Sequence, residues 1–109
     1  MNDFGLSDKV INQMQIILAR YEEINVVKIY GSRAKGNYKD QSDIDLVILD
    51  KNISRFTVGK ILLDFDDSNL PYMIDLQCYD TIRNQKLREH IDRVGKIFYE
   101  KKCKGLDLI

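Results

Sequence analysis

Apolar side chains near the N-terminus follow a helical spacing. They recur at i, i+1, i+4, i+7, i+8 and i+11, which places them on one face of an α-helix. Ser7 stands just before this pattern, where its hydroxyl can serve as a helix N-cap. We expect this face to pack in the core, with a homodimer contact as the alternative; its members are Val10, Ile11, Met14, Ile17, Leu18 and Tyr21.

Short apolar runs farther along the chain predict strands. Residues 26–30 and 44–49 form two such runs, and residues 72–79 alternate as expected for a third strand. In this third run, Asp75 and Gln77 face away from the apolar positions. Strand interiors disfavour aspartate unless something requires it. Asp75 therefore belongs either to a water-exposed strand face or to a functional site.

The remaining pattern predicts further helices. Residues 54–66 follow helical spacing, and a last helix is expected to begin at Asp80 or Thr81 and to end at Gly95. Residues 96–100 then form a short strand or a turn. The pattern as a whole predicts three strands and three or four helices, and hence an α/β (α+β) fold with a small mixed β-sheet and helices packed mainly on one face.

Size and charge narrow the class of protein. A chain of 109 residues indicates one domain spanning residues 1–109. Its 17 basic and 17 acidic residues give a formal net charge of 0, so a polynucleotide partner is not expected. The sequence has neither a signal-peptide pattern nor an apolar run of membrane-spanning length. We therefore expect a cytoplasmic protein without a membrane partner.

Two aspartates at the start of the second predicted strand suggest a metal site. Asp43 and Asp45 are two residues apart, so their side chains point to the same face, with Ile44 behind them. Two adjacent carboxylates repel each other, and a divalent cation relieves that repulsion. Their hard oxygen atoms suit Mg²⁺. An isolated Asp-x-Asp pair is more often a turn or cap feature, so the interpretation depends on what surrounds it.

A glycine and a serine follow the first predicted strand. Gly31 permits a close approach to the backbone, and Ser32 could be the N-cap of a helix whose free N–H groups favour phosphate. Arg33 either contacts phosphate as well or points to solvent. A P-loop is excluded because Asn37 and Tyr38 stand where Lys and Ser or Thr are needed. A phosphate cradle beside a metal pair indicates chemistry on a Mg²⁺–nucleotide complex.

These two motifs together resemble a known signature. Gly31-Ser-Arg-Ala-Lys-Gly36, followed by Ser42-Asp-Ile-Asp-Leu46, is similar to the G-S-x-A-x-G and S-D-x-D-L motifs of the DNA polymerase beta-like nucleotidyltransferase superfamily. The short chain resembles the minimal nucleotidyltransferases of that superfamily. The similarity is specific because both motifs occur in order with the right spacing over residues 26–49.

The resemblance implies a reaction and a set of site residues. The reaction is transfer of AMP from ATP to a hydroxyl group, with pyrophosphate as the leaving group. Asp43, Asp45 and Asp75 would be the catalytic and metal-ligating residues, with a two-metal Mg²⁺ site possible. Asp75 matches the superfamily's third carboxylate, which either completes the second metal site or accepts the hydroxyl proton. Gly31, Ser32 and Arg33 would bind the nucleotide.

The resemblance also suggests an acceptor. Minimal nucleotidyltransferases of this superfamily are often antitoxins that adenylylate a tyrosine of a HEPN-domain toxin, which makes a HEPN partner the first hypothesis. One alternative is a nucleotide-binding antitoxin or sensor that acts by contact alone. Another is a dimeric nucleotidyltransferase of the aminoglycoside-modifying kind. The residues themselves do not distinguish a protein acceptor from a small molecule.

Overall fold

The computed structural model describes residues 4–39 and 42–101. Within them, four strands form one sheet, and four α-helices and a short 3-10 helix (Tyr79–Thr81) accompany it. The α/β expectation is confirmed, with one strand more than the three predicted. In chain order the main elements are α1 (Asp8–Ala19), β1 (Val26–Tyr30), α2 (Ser32–Lys35), β2 (Ile44–Ile48), α3 (Arg55–Asp67), β3 (Ile74–Cys78), α4 (Gln85–Val94) and β4 (Lys96–Glu100).

Polar side chains cap the start of each long helix. The Ser7 hydroxyl accepts a hydrogen bond from the Val10 N–H at 3.2 Å, which confirms the predicted start of α1. Ser54 caps α3 in the same way by accepting from the Thr57 N–H at 3.1 Å. These caps satisfy N–H groups that have no partner within the helix.

The predicted start of α4 is wrong. The helix begins after Asn84, whose side-chain oxygen accepts a hydrogen bond from the Leu87 N–H at 3.2 Å. Asp80 and Thr81 lie in the preceding 3-10 helix. Their side chains are occupied elsewhere, because the Asp80 carboxylate accepts from the Asn52 N–H at 3.0 Å and the Thr81 hydroxyl donates to the Cys78 carbonyl at 3.0 Å.

The sheet has the strand order β3-β2-β1-β4. Strand β1 is antiparallel to both β2 and β4, whereas β2 and β3 are parallel. The sheet is therefore mixed, as predicted. Strand β4 resolves the choice between a strand and a turn at residues 96–100, and it forms one edge of the sheet while β3 forms the other.

Most of the core lies on one face of the sheet. Helices α1 and α3 cover that face, and alternate strand residues point into it. A smaller cluster on the opposite face joins the sheet to α4 and consists of Tyr30, Val47, Ile82 and Ile91. The expectation that helices pack mainly on one face is confirmed. Because side chains alternate along β2, Asp45 and Val47 point to the same face of the sheet. This is the face that the helices cover less.

No helix within residues 4–39 and 42–101 combines the length and the apolar character needed to cross a membrane.

Candidate active site

The strand register brings the predicted carboxylates to one end of the sheet. Asp45 pairs with Asp75 in the parallel β2–β3 ladder and with Tyr30 in the antiparallel β1–β2 ladder. Neighbouring strands are about 4.8 Å apart, so the Asp45 and Asp75 side chains project side by side from one face. Asp43 is exposed and lies just before β2. The three predicted acids thus share one region of the molecule.

Negative charge is crowded around Asp45. Burial of its carboxyl raises the pKa of Asp45, and the charges of Asp75 and Asp43 raise this pKa further. Ionised Asp45 is therefore held in an unfavourable environment. A bound cation would relieve this repulsion, which makes the site suitable for a positively charged ligand.

The donor set suits Mg²⁺ held together with a nucleotide. Carboxylate oxygens are hard ligands, and proteins usually bind Mg²⁺ through one or two carboxylates plus substrate phosphates. In the part of the chain that the structure describes, no three acidic, histidine or cysteine side chains are gathered as a ready-made metal cluster. The paired carboxylates of Asp45 and Asp75 fit a cation that also binds the phosphates of the substrate.

Gly31 makes room for the Asp45 carboxylate. Its backbone angles are φ 78° and ψ −154°, a region that is essentially restricted to glycine. A Cβ atom built on Gly31 would lie 2.5 Å from Asp45 Oδ2 and 3.4 Å from Asp45 Cγ. The sequence suggested that Gly31 admits a phosphate. The structure adds a second reason for glycine here, which is the close approach of a carboxylate on the neighbouring strand.

Ser32 is the first residue of α2, and Gly31 occupies the N-cap position that was expected for Ser32. The Ser32 carbonyl accepts hydrogen bonds from the N–H groups of Gly36 and Asn37 at 2.9 and 3.2 Å. Gly36 ends this short helix with φ 88°, in the left-handed region that favours glycine. Ser32 itself remains partly exposed next to Gly31.

Arg33 is a buried structural residue. Only 1% of its surface is exposed. Its Nε and Nη2 atoms donate to the Ser42 carbonyl at 3.1 and 2.9 Å, and Nη1 donates to the Phe4 carbonyl at 2.7 Å. The guanidinium carbon lies 5.4 Å from the ring centroid of Tyr38 and 4.9 Å from that of Tyr72. This placement does not fit the expected contact with nucleotide phosphate, nor the alternative of a solvent-facing side chain.

The burial of Arg33 has a consequence for the site. Asp43 immediately follows Ser42, whose carbonyl receives two of the guanidinium's hydrogen bonds. Arg33 therefore holds the segment that leads into Asp43 against the helix that follows Gly31. The basic residue of the motif fixes the geometry between the two halves of the site.

The sequence did not predict a chain of contacts that leads from Asp75 through Gln77 and Tyr30 to His90. The Gln77 Nε2 donates to Asp75 Oδ2 at 3.1 Å and to the Tyr30 hydroxyl at 3.2 Å. Burial and the charges of Asp75 and Asp45 raise the pKa of Tyr30 to about 12, so this phenol stays protonated near neutral pH. The His90 ring meets the Tyr30 ring edge to face at 6.3 Å. The only available signal was that Gln77 shares a strand face with Asp75.

Comparison with known proteins identifies the family. Residues 12–104 match the model of the polymerase beta nucleotidyltransferase family. A probable protein adenylyltransferase MntA from Haemophilus influenzae is 35% identical over 105 residues, which cover 93% of this chain and 91% of that relative. The chain therefore belongs to the polymerase beta nucleotidyltransferase family, and the resemblance seen in its two motifs is confirmed.

Solved structures share the fold. A toxin–antitoxin crystal structure with AMP-PNP matches with a TM-score of 0.68 and 17% identity, over 90% of this chain and 78% of that one. A structure of a tri-AMPylated Shewanella oneidensis HEPN toxin in complex with MNT antitoxin matches with a TM-score of 0.65 and 14% identity, over 94% of this chain and 79% of that one. These similarities confirm the nucleotidyltransferase fold.

The contact between Gly31 and Asp45 leads to a first prediction. Gly31→Ala should lose about 1–3 kcal/mol of unfolding free energy because alanine is strained at this positive φ. The new methyl group should also displace the Asp45 carboxylate and abolish Mg²⁺–ATP binding. Gly36→Ala is the matched control, since Gly36 also has a positive φ but has no atom within 4 Å of the added Cβ. Urea unfolding and calorimetry test both variants. Equal nucleotide binding by the two variants would contradict the proposed role of this contact.

The raised pKa of Asp45 leads to a second prediction, for the metal-free protein. Folded Asp45 keeps its proton to a higher pH than the unfolded chain, whose carboxyl titrates near 3.8. Stability from this group is therefore present at low pH and is lost as pH rises through the folded pKa. Asp45→Asn should be more stable than the parent near pH 7, and this advantage should shrink as pH approaches 4.

Urea unfolding with a metal chelator across this pH range measures the effect. Glu100→Gln is the control, because Glu100 is exposed on edge strand β4 and pairs with the end of β1 farthest from Tyr30. It should show no such pH-dependent gain. A stability difference between Asp45→Asn and the parent that stays constant with pH would refute the assignment.

The burial of Arg33 leads to a third prediction. Arg33→Met removes donors from two carbonyl oxygens, and hydrogen bonds from a charged donor are worth about 1.5–3 kcal/mol each. We expect a loss of at least about 3 kcal/mol in the free energy of unfolding. Arg20→Met is the control because Arg20 is 59% exposed and its only ion pair in the described residues, with Asp64, is 3.8 Å long. That control should change stability by about 0.5 kcal/mol or less. Similar urea midpoints for the two variants would disprove the structural role.

Proposed function

We propose that this protein transfers AMP from ATP to a hydroxyl group on a HEPN-type partner protein, as the antitoxin of a toxin–antitoxin pair. The observation that carries the proposal is the register of β2 and β3, which sets Asp75 beside Asp45 next to Gly31. Two adjacent carboxylates and a glycine without a side chain form a site with excess negative charge and little steric cover. Such a site suits a metal-bound triphosphate.

The reaction has a simple balance of atoms. The acceptor oxygen attacks the α-phosphorus of ATP and forms a new O–P bond, while the bond from that phosphorus to the bridging oxygen breaks and pyrophosphate leaves with the electron pair. The hydroxyl proton passes to a base. Asp75 is the side chain proposed for this step because it is exposed and lies beside Asp45.

The other residues of the site bind and orient the nucleotide. Gly31 leaves the backbone open at the start of α2, and the partly exposed Ser32 hydroxyl can donate a hydrogen bond to a phosphate oxygen. Asp43 and Asp45 would hold Mg²⁺, with Asp75 able to complete a second metal position. When bound, the ion would neutralise negative charge on the triphosphate and on the leaving group. Arg33 acts at a distance from the nucleotide by fixing the segment before Asp43.

Two relatives support a protein acceptor. The Haemophilus influenzae relative is named a probable protein adenylyltransferase, and the Shewanella oneidensis structure pairs an MNT antitoxin with a HEPN toxin that carries AMP groups. A tyrosine acceptor has a pKa near 10 and is mostly protonated at neutral pH, so it needs a base or a metal to become a nucleophile.

The proposed location is the cytoplasm, where ATP is plentiful.

A substitution at Asp75 separates catalysis from binding. Asp75→Asn should still bind Mg²⁺–ATP and the partner but should fail to modify it, because the amide cannot accept the hydroxyl proton. The experiment incubates the pure protein with labelled ATP, Mg²⁺ and the HEPN-type protein encoded beside it, and follows the partner's intact mass. Asp67→Asn is the control, since Asp67 is exposed on α3. Rescue of cells that express the partner is scored in parallel.

The possible results lead to different conclusions. Partner modification by Asp75→Asn at the parent rate would show that Asp75 is not needed for the reaction. Rescue by Asp75→Asn equal to that by the parent, without any mass shift on the partner, would show that contact alone neutralises the partner. Release of pyrophosphate with a small-molecule alcohol, but not with the partner protein, would indicate a small-molecule nucleotidyltransferase.

A further inference from the structure

A hydrogen bond from Gln77 holds the Asp75 carboxylate in place. Asp75 is exposed on β3, which is an edge strand of the sheet. Among residues 4–39 and 42–101, Gln77 is the one hydrogen-bond donor to its carboxylate, with Nε2 at 3.1 Å from Oδ2. An ionised carboxylate only accepts hydrogen bonds, so the NH₂ group of the amide must face Asp75. That group carries two hydrogens and can serve Asp75 and a second acceptor at once.

The second acceptor is the hydroxyl of Tyr30, a buried side chain. Tyr30 is 5% exposed and packs in the cluster on the α4 face of the sheet. Its hydroxyl accepts from Gln77 Nε2 at 3.2 Å, and its ring meets His90 edge to face. Tyr30 lies on β1 and Gln77 on β3, so this hydrogen bond spans β2 at the level of Asp45 and Val47. The exposed carboxylate is thereby tied to a buried ring two strands away.

The chemistry of an amide suits this task. A lysine or arginine at position 77 would pair with the Asp75 charge and oppose both cation binding and proton transfer. A glutamate would repel the carboxylate, and an apolar side chain would leave it free to rotate. The amide fixes one carboxylate oxygen without changing the charge and leaves the other oxygen available.

We propose that Gln77 is a positioning residue that orients the Asp75 carboxylate for AMP transfer, with the buried Tyr30 hydroxyl as its anchor. This inference rests on the proposed function, because the orientation of Asp75 matters only if Asp75 acts in the reaction. Gln77 contacts neither the nucleotide nor the acceptor in this role. It acts through the rotamer of Asp75.

Steady-state kinetics form the first arm of the test. Gln77→Leu keeps the size of the side chain and removes both hydrogen bonds. We expect kcat to fall by about 10–100-fold, the usual loss when a residue that orients a ligand or catalytic group is removed. KM for ATP should stay unchanged because Gly31 and Ser32 are untouched. Gln77→Glu should lose at least as much as Gln77→Leu, since it adds a like charge beside Asp75.

The anchor is tested by a double-mutant cycle. Tyr30→Phe keeps the ring and removes the hydroxyl, so it should lower kcat by less than Gln77→Leu does. The double variant should be no slower than Gln77→Leu alone, because the two changes break one chain of contacts. Gln15→Leu is the matched control: its Nε2 donates to the Phe98 carbonyl at 2.8 Å, away from Asp75, so the same chemical change should cost stability without affecting kcat.

Nuclear magnetic resonance provides a readout that needs no metal, partner or turnover. The side-chain amide signals of Gln77 should shift in Tyr30→Phe and in Asp75→Asn but not in Gln15→Leu. Gln77 signals that do not shift in Tyr30→Phe and Asp75→Asn would overturn the inference. A Gln77→Leu variant with the parent kcat would also overturn it. Absence of transfer by the unaltered protein, with the amide shifts present, would instead overturn the proposed function and the positioning role that rests on it.

Discussion

The site depends on a buried positive charge. The guanidinium of Arg33 is buried away from water. Contacts within the protein must replace its lost hydration, because an isolated buried charge is very unfavourable. Among the residues that the structure describes, two backbone carbonyls and two aromatic rings contribute to that compensation. They come from the N-terminal segment, from the stretch that follows α2, from the entry to β2 and from the approach to β3. One side chain thus joins four parts of the chain that no continuous secondary structure connects.

Around this charge the protein assembles acids that repel one another. Asp45 occupies the space where a side chain at position 31 would lie, and Asp43 and Asp75 add like charge to it. The crowded carboxylates lower stability in the absence of ligand. Such local costs are typical of functional sites, where binding of the substrate relieves them. The rigid core between the sheet, α1 and α3 is what tolerates them.

The sequence predicted the local features well because local patterns determine them. The span of β1, the N-cap of α1 and the helix predicted over residues 54–66 all follow from spacing within a few residues. The start of α4 was missed because Asp80 and Thr81 bond to groups outside the helix. The burial of Arg33 depends on the Phe4 carbonyl 29 positions away, and the contact of Gln77 with Tyr30 spans 47 positions. The catalytic and binding roles of the site residues remain predictions.

The edge position of β3 affects how the site would fail on warming. Strand β3 is paired to β2 alone, whereas Gly31 adjoins β1, and Asp45 lies on β2, in the interior of the sheet. Edge segments open locally at a lower free-energy cost than global unfolding. Fraying of β3 would withdraw Asp75 while Gly31 and Asp45 stay in contact. The thermal limit of turnover would then be set by one strand's detachment, below the melting temperature of the domain.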